Sequence, residues 1–140
     1  MKCYLLIVLV FISGVVVAQD STNIKIETPK IVSKLPLGKI YNSDEVQIKF
    51  VDVLTDSRCP KDVTCVWAGE VVILVDILQD DILIEQKKIV FQPGKSINAE
   101  LMLLFSSKNL KITAYSVLPN PSSKGKIKKE DYYLQLDIEN

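Results

Sequence analysis

The sequence predicts an all-β fold, a single antiparallel β-sandwich of about seven or eight strands with one disulfide-closed loop. Three observations predict it. Short runs of residues alternate apolar and polar or are rich in Val and Ile, the patterns of half-buried and fully buried strands. Turn residues punctuate those runs at short intervals. Almost everything after residue 23 reads as strand, and no long segment repeats its apolar residues at the helical period.

The first 18 residues stand apart. Lys2 gives a positive start, residues 4–12 are apolar, and Val16-Val17-Ala18 precede Gln19. This is the order of a secretory signal peptide cleaved after Ala18. The apolar stretch of about 15 residues, broken by Gly14, is short of the roughly 20 that span a bilayer. Cys3 lies ahead of the apolar run, not at the cleavage point, so no lipid anchor or other stable membrane anchor is expected after cleavage. Residues 19–140 then form one domain, a size that buries enough apolar surface to fold. Residues 19–24 read as a lead-in.

Within the domain the elements follow in order. Val46-Gln47-Ile48-Lys49-Phe50 alternates as a strand with one buried face. Residues 51–54 change phase, which predicts a bulge or twist. Residues 71–78 are apolar on both faces except at Asp76, the signature of a central strand. Gln79-Asp80-Asp81 is short enough for a tight hairpin into a strand over residues 82–91. Gln92-Pro93-Gly94-Lys95 signals a turn. Residues 99–105 fit a short helix or a strand, and the β context favours strand. Residues 110–118 predict a strand with Leu110, Ile112, Ala114 and Leu118 on the apolar side. Residues 119–131 form a polar loop, and Tyr132, Leu134, Leu136 and Ile138 share one face of a last strand.

Charge excludes some partners. The chain has 17 Lys and Arg against 17 Asp and Glu. A near-neutral balance gives no electrostatic argument for nucleic acid or for an anionic membrane. The absence of His removes the commonest general base and the commonest metal ligand.

The rare side chains gather in residues 56–70, which hold the only Arg (Arg58) and the only Trp (Trp67). Cys59 and Cys65, the one intramolecular pair left once Cys3 is removed, are expected to form a disulfide in an oxidising compartment. Closing seven residues contributes roughly 2.4 kcal/mol in the chain-entropy account. The segment has two readings. It is a staple on a strand connection, with Trp67 plugging the end of the core, or a rigid recognition loop presenting Arg58, Lys61 and Trp67. Arg58 itself either recognises a carboxylate or bonds backbone carbonyls and locks the loop.

The run Asp56-Ser57-Arg58-Cys59-Pro60, followed by Cys65-x-Trp67-x-Gly69, resembles the hallmark of a group of small bacterial β-proteins that are secreted or lipid-anchored. Leu118-Pro119-Asn120-Pro121 and Tyr132-Tyr133-Leu134-Gln135-Leu136 approximate that group's ending. The resemblance covers roughly residues 35–139 and implies the fold and export. It implies no activity, and this chain departs from the lipid-anchored members in lacking a cysteine at the cleavage point.

Chemistry is otherwise sparse. Oxidised cysteines offer neither a thiolate nucleophile nor a zinc site. Asp52, Asp56, Asp62 and the Asp80-Asp81 turn lack the spacing of a calcium loop and read as solvated carboxylates. Asp76 reads as an edge-facing acid or a partner for a Lys. Lys124, Lys126, Lys128 and Lys129 read as a solvated loop. No cofactor and no metal are expected, and the chain is not expected to be an enzyme. The expectation is a secreted or periplasmic binding or structural module whose partner is another protein or a small ligand. Two alternatives are a protease inhibitor acting through residues 59–65 and an extracellular hydrolase using paired carboxylates.

Overall fold

The computed structural model describes residues 31–94 and 99–140. The expected signal peptide, Cys3 and the lead-in at residues 19–24 lie outside the described residues. The strands are β1 (Ile31–Pro36), β2 (Ile40–Asn42), β3 (Gln47–Asp56), β4 (Val71–Gln79) and β5 (Ile82–Phe91), then β6 (Leu103–Ser106), β7 (Lys111–Leu118) and β8 (Tyr133–Glu139). They form two four-stranded antiparallel sheets, ordered β1-β8-β7-β6 and β2-β3-β4-β5. The molecule is the all-β sandwich that the alternation predicts. One expectation is corrected. Residues 99–105 are not one strand, because Ala99–Met102 form a helical turn, α1, before β6 begins.

The apolar faces meet between the sheets. Ile48, Phe50, Ile73 and Val75 from one sheet face Ile112, Leu134 and Leu136 from the other, all 0% exposed. In β4 the inward residues Val71, Ile73, Val75 and Ile77 are buried, and outward Val72 is covered too. The strand lies between β3 and β5, and its other outward residues, Leu74, Asp76 and Leu78, are half-buried. Asp76 sits on its outer face, opposite Lys49 and Gln86, and accepts a 2.7 Å hydrogen bond from Gln86 Nε2.

The β4–β5 hairpin turns through Asp80 and Asp81, with φ 51° and 62°. Two successive left-handed residues make a two-residue turn whose twist suits the flanking strands.

Bulges set the phase of the strands that reach the disulfide-closed end of the sandwich. In β3 the register slips between Phe50 and Asp52, and again between Val53 and Thr55. Each slip leaves one extra residue unpaired and re-aims those that follow. The second brings Asp56 opposite Val71, whose side chain faces the core. An acid at the end of an otherwise apolar face is the result. In β7 a slip between Ala114 and Ser116 turns Val117 inward at 2% exposure. Leu118, expected inward from the unbroken alternation, is only half-buried.

Candidate functional site

Residues 57–70 join β3 to β4 at one end of the sandwich, and their two arms prolong the ladder. The Ser57 N–H donates to the Glu70 carbonyl at 2.8 Å and the Cys59 N–H to the Ala68 carbonyl at 2.9 Å. Gly69, at φ +69°, lies so close to the opposing arm that a Cβ would stand 1.8 Å from the Ser57 carbonyl oxygen. Beyond the arms the Cys59–Cys65 disulfide closes the tip, with a Cα–Cα separation of 5.9 Å. Inside it the chain turns over Pro60–Val63, the Val63 N–H donating to the Pro60 carbonyl at 3.3 Å.

Arg58 points from the arm into the protein and is 8% exposed. Its Nε donates to Asp56 Oδ1 at 2.8 Å. One terminal nitrogen reaches the Val117 carbonyl at 2.6 Å and Asn120 Oδ1 at 3.4 Å. The other reaches Asp56 Oδ2 at 2.6 Å and the Pro119 carbonyl at 3.0 Å. A guanidinium has five N–H donors, and all five have an acceptor inside the protein. This is the geometry of the locking reading. The Tyr132 hydroxyl, from the residue just before β8, also donates to Asp56 Oδ2 at 2.9 Å. Residues 117–120 and Tyr132, both distant in sequence, thus converge on one Asp56–Arg58 pair.

The charges at this junction are mutually fixed. Burial works to raise the pKa of Asp56, but the bonds from Arg58 and Tyr132 outweigh it and hold the carboxyl below its ordinary range. Burial, and then the bond to Asp56, push the Tyr132 hydroxyl up to about 12. Asp56 is therefore an ion and Tyr132 a neutral donor across the physiological range.

A second tie holds the tip from outside. Asp62 Oδ1 accepts from the Ser123 N–H at 2.8 Å, and Oδ2 accepts from the hydroxyls of Ser122 and Ser123. Those bonds lower its pKa. The Lys61 N–H donates to the Pro121 carbonyl at 3.1 Å. The loop over residues 119–131 is thereby docked on the disulfide loop. Asp52, for its part, pairs with Lys129 at 2.9 Å, and that bond lowers its pKa. Asp52, Asp56 and Asp62 thus face three different partners. Among the described residues no group of three or more His, Cys, Asp or Glu is placed to hold a metal ion.

Trp67 is not a plug for the core. It is 82% exposed, whereas Arg58 is the buried side chain of this segment. Val66 beside it is fully exposed, Val63 is 47% exposed, and Lys61 is on the outer side of the turn. Sequence reasoning passed over Val63 and Val66. The available signal was two valines within a polar, disulfide-closed loop that has no room for a core of its own. Trp67, Ala68, Gly69 and Glu70 wall one side of an open cleft of about 520 Å³. A second, of about 500 Å³, lies against Val71, Phe91, Met102 and Val117, and Gln92 and Pro93 form the ridge between the two.

The disulfide marks an oxidising, extracytoplasmic environment, and no helix among the described residues is long and apolar enough to cross a membrane. Comparison with protein-family models, with curated proteins and with solved structures returned no match.

The staple has a measurable share in stability. Reducing Cys59–Cys65, or replacing both cysteines with Ser, should lower the unfolding free energy by roughly 2.4 kcal/mol. Intact mass should rise by about 2 Da on reduction, and urea unfolding of the two forms should separate by that energy. Coincident unfolding curves would show that the crosslink constrains nothing.

Proposed function

We propose that this chain is an exported, non-enzymatic binding module of the periplasm or cell exterior, and that it binds through the tip of the stapled loop. The observation that carries this reading is the exposure of Trp67 and Val66 on a loop fixed from both sides. Arg58 holds it from within, the disulfide closes it, and Asp62 ties it to the neighbouring loop. Exposing an indole in water forfeits burial of a large apolar surface. A rigid loop that does so loses little entropy when a partner covers it, and Trp is among the side chains that most often dominate interfaces.

Trp67→Ala is the direct test, because the indole takes no part in holding the fold. It should leave the melting temperature unchanged and weaken retention of the bound partner by about thirtyfold, the loss of a 2 kcal/mol anchor. Affinity capture from an exported extract, quantified for wild type and variant side by side, measures it. Equal recovery by the two proteins would sink the reading. Lys61→Ala is a milder version of the same test. Arg58→Ala is not, since that side chain faces inward.

The alternatives draw less support. A protease cleft takes an extended segment, and Lys61 stands at the corner of a turn. Saturable inhibition of a protease by the pure protein would restore that reading. For a hydrolase, the carboxylates nearest the tip are engaged, Asp56 by Arg58 and Asp62 by the two serines.

A further inference from the structure

The identity of that partner can be argued from what surrounds the tip. Residues 59–67 and 119–131, the two docked loops, carry Lys61, Lys124, Lys126 and Lys128, and Lys129 paired with Asp52, against Asp62, Glu130 and Asp131. Asp62 is turned onto Ser122 and Ser123 and keeps its negative charge at the junction between the loops. Lys124 follows Ser123 directly, and Ser122 and Gly125 form a bridge that folds this stretch back on itself. All five lysines are exposed. A neutral chain thus keeps a local excess of positive charge on the two loops that carry Val66 and Trp67, its two most exposed large apolar residues among those described, and the exposed Val63. Glu70, the next acid along the arm, accepts from Gln92 Nε2 at 2.6 Å on the cleft side.

Building on the binding reading, we infer that the tip docks on the surface of an anionic phospholipid bilayer. Trp67 and Val66 enter the headgroup boundary while the lysines face the lipid phosphates. An indole has an apolar body and one N–H donor, the combination that favours the membrane interface. Apolar insertion and attraction to anionic lipid add, and each Lys near such a surface contributes about fivefold in partitioning. The contact is reversible and peripheral, since one indole and two valines are far from a spanning segment.

Trp67 is the only Trp in the sequence, so its fluorescence reports on this tip and nothing else. The exported protein, its N-terminus defined by mass, is mixed with vesicles of phosphatidylcholine containing one-third phosphatidylglycerol. The emission should shift to the blue, and the protein should sediment with the vesicles. Pure phosphatidylcholine should give neither result. Replacing Lys124 and Lys126 together by Gln should weaken sedimentation about twenty-five-fold, and raising salt well above about 0.1 M should weaken it for the wild type. Trp67→Ala should abolish sedimentation at unchanged melting temperature. No shift and no sedimentation with anionic vesicles would overturn the inference, as would equal binding to neutral vesicles. If vesicles fail while a soluble protein is captured in a Trp67-dependent way, the partner is a protein and the binding reading stands. If both fail, both readings fall.

Discussion

Replacing Arg58 by Ala should destabilise the domain by about 3–5 kcal/mol, the cost of removing one partner from a buried ion pair. Against a typical stability of about 5–15 kcal/mol, that is a large share. The loss is more than an ion pair. The Asp56 carboxylate keeps only Tyr132 and the Arg58 backbone N–H as donors, and the Val117 and Pro119 carbonyls lose theirs. A buried group left without its bond costs its full desolvation. Urea unfolding should show the midpoint fall at constant slope. Removing Asp56 as well should cost less than the two single losses together, because the second replacement takes away the stranded charge.

The same pair fixes the sign of the pH dependence. In the wild type the folded pKa of Asp56 is depressed, so its contribution is present above the unfolded value of about 3.9 and is lost as pH falls through the folded value. In Arg58→Ala, burial acts with little opposition and raises that pKa, so acidification relieves the variant while it strains the wild type. The stability gap between them should narrow as pH falls, first through the variant's raised pKa above about 4 and then through the wild type's depressed one below it. A gap independent of pH would mean that Arg58 is not there to neutralise Asp56. At the alkaline end the sign is opposite. Tyr132, raised to about 12, contributes fully below its unfolded value of about 10, and that contribution fades as pH rises towards the folded value.

Gly69→Ala should cost about 3 kcal/mol and lower the melting temperature by roughly 10 °C. The left-handed φ of +69° accounts for about 1–2 kcal/mol with any side chain. The rest comes from contact. A Cβ 1.8 Å from the Ser57 carbonyl oxygen and 3.0 Å from the Arg58 Cα meets backbone, which cannot swing aside. The arms must part, and the backbone bonds Ser57–Glu70 and Cys59–Ala68 weaken by about 1 kcal/mol each. Gly94→Ala is the control. It has φ +79° but nothing within 4 Å of its Cβ position, so only the conformational cost of about 1–2 kcal/mol applies. Equal losses at both positions would show that the close approach of the arms is unimportant.

What could be read from the sequence was local. The alternation of Leu134, Leu136 and Ile138 places β8 correctly, the two-sided apolar run places β4 in the middle of its sheet, and the phase change after Phe50 marks a real bulge. The readings stayed open where the deciding partner was distant. Of the two readings of Trp67, core plug and exposed recognition side chain, the exposure excludes the plug, and Arg58 is the buried side chain instead. Arg58 is held through acceptors at 117, 119 and 120, some 59–62 residues away in sequence. One part of that junction was legible. Asp56 and Arg58 are two apart, so on an extended chain they share a face. The helical turn at Ala99–Met102 was ambiguous for the opposite reason, since four apolar-rich residues satisfy either period.

The pairing of the terminal strands governs when the domain can exist at all. β1 pairs with β8 along its whole length, Ile31 with Ile138 and Pro36 with Tyr133, roughly a hundred residues of intervening chain, which makes a slow, non-local closure. β8 is also the partner of β7, so half of one sheet waits for it. The disulfide gives no help, because it spans a separation of only six and can form in a chain that has folded nothing else. A chain emerging through a membrane would therefore be crosslinked early and would remain open until its last strand arrived. Any quality-control step that read the disulfide alone would pass molecules that are still unfolded.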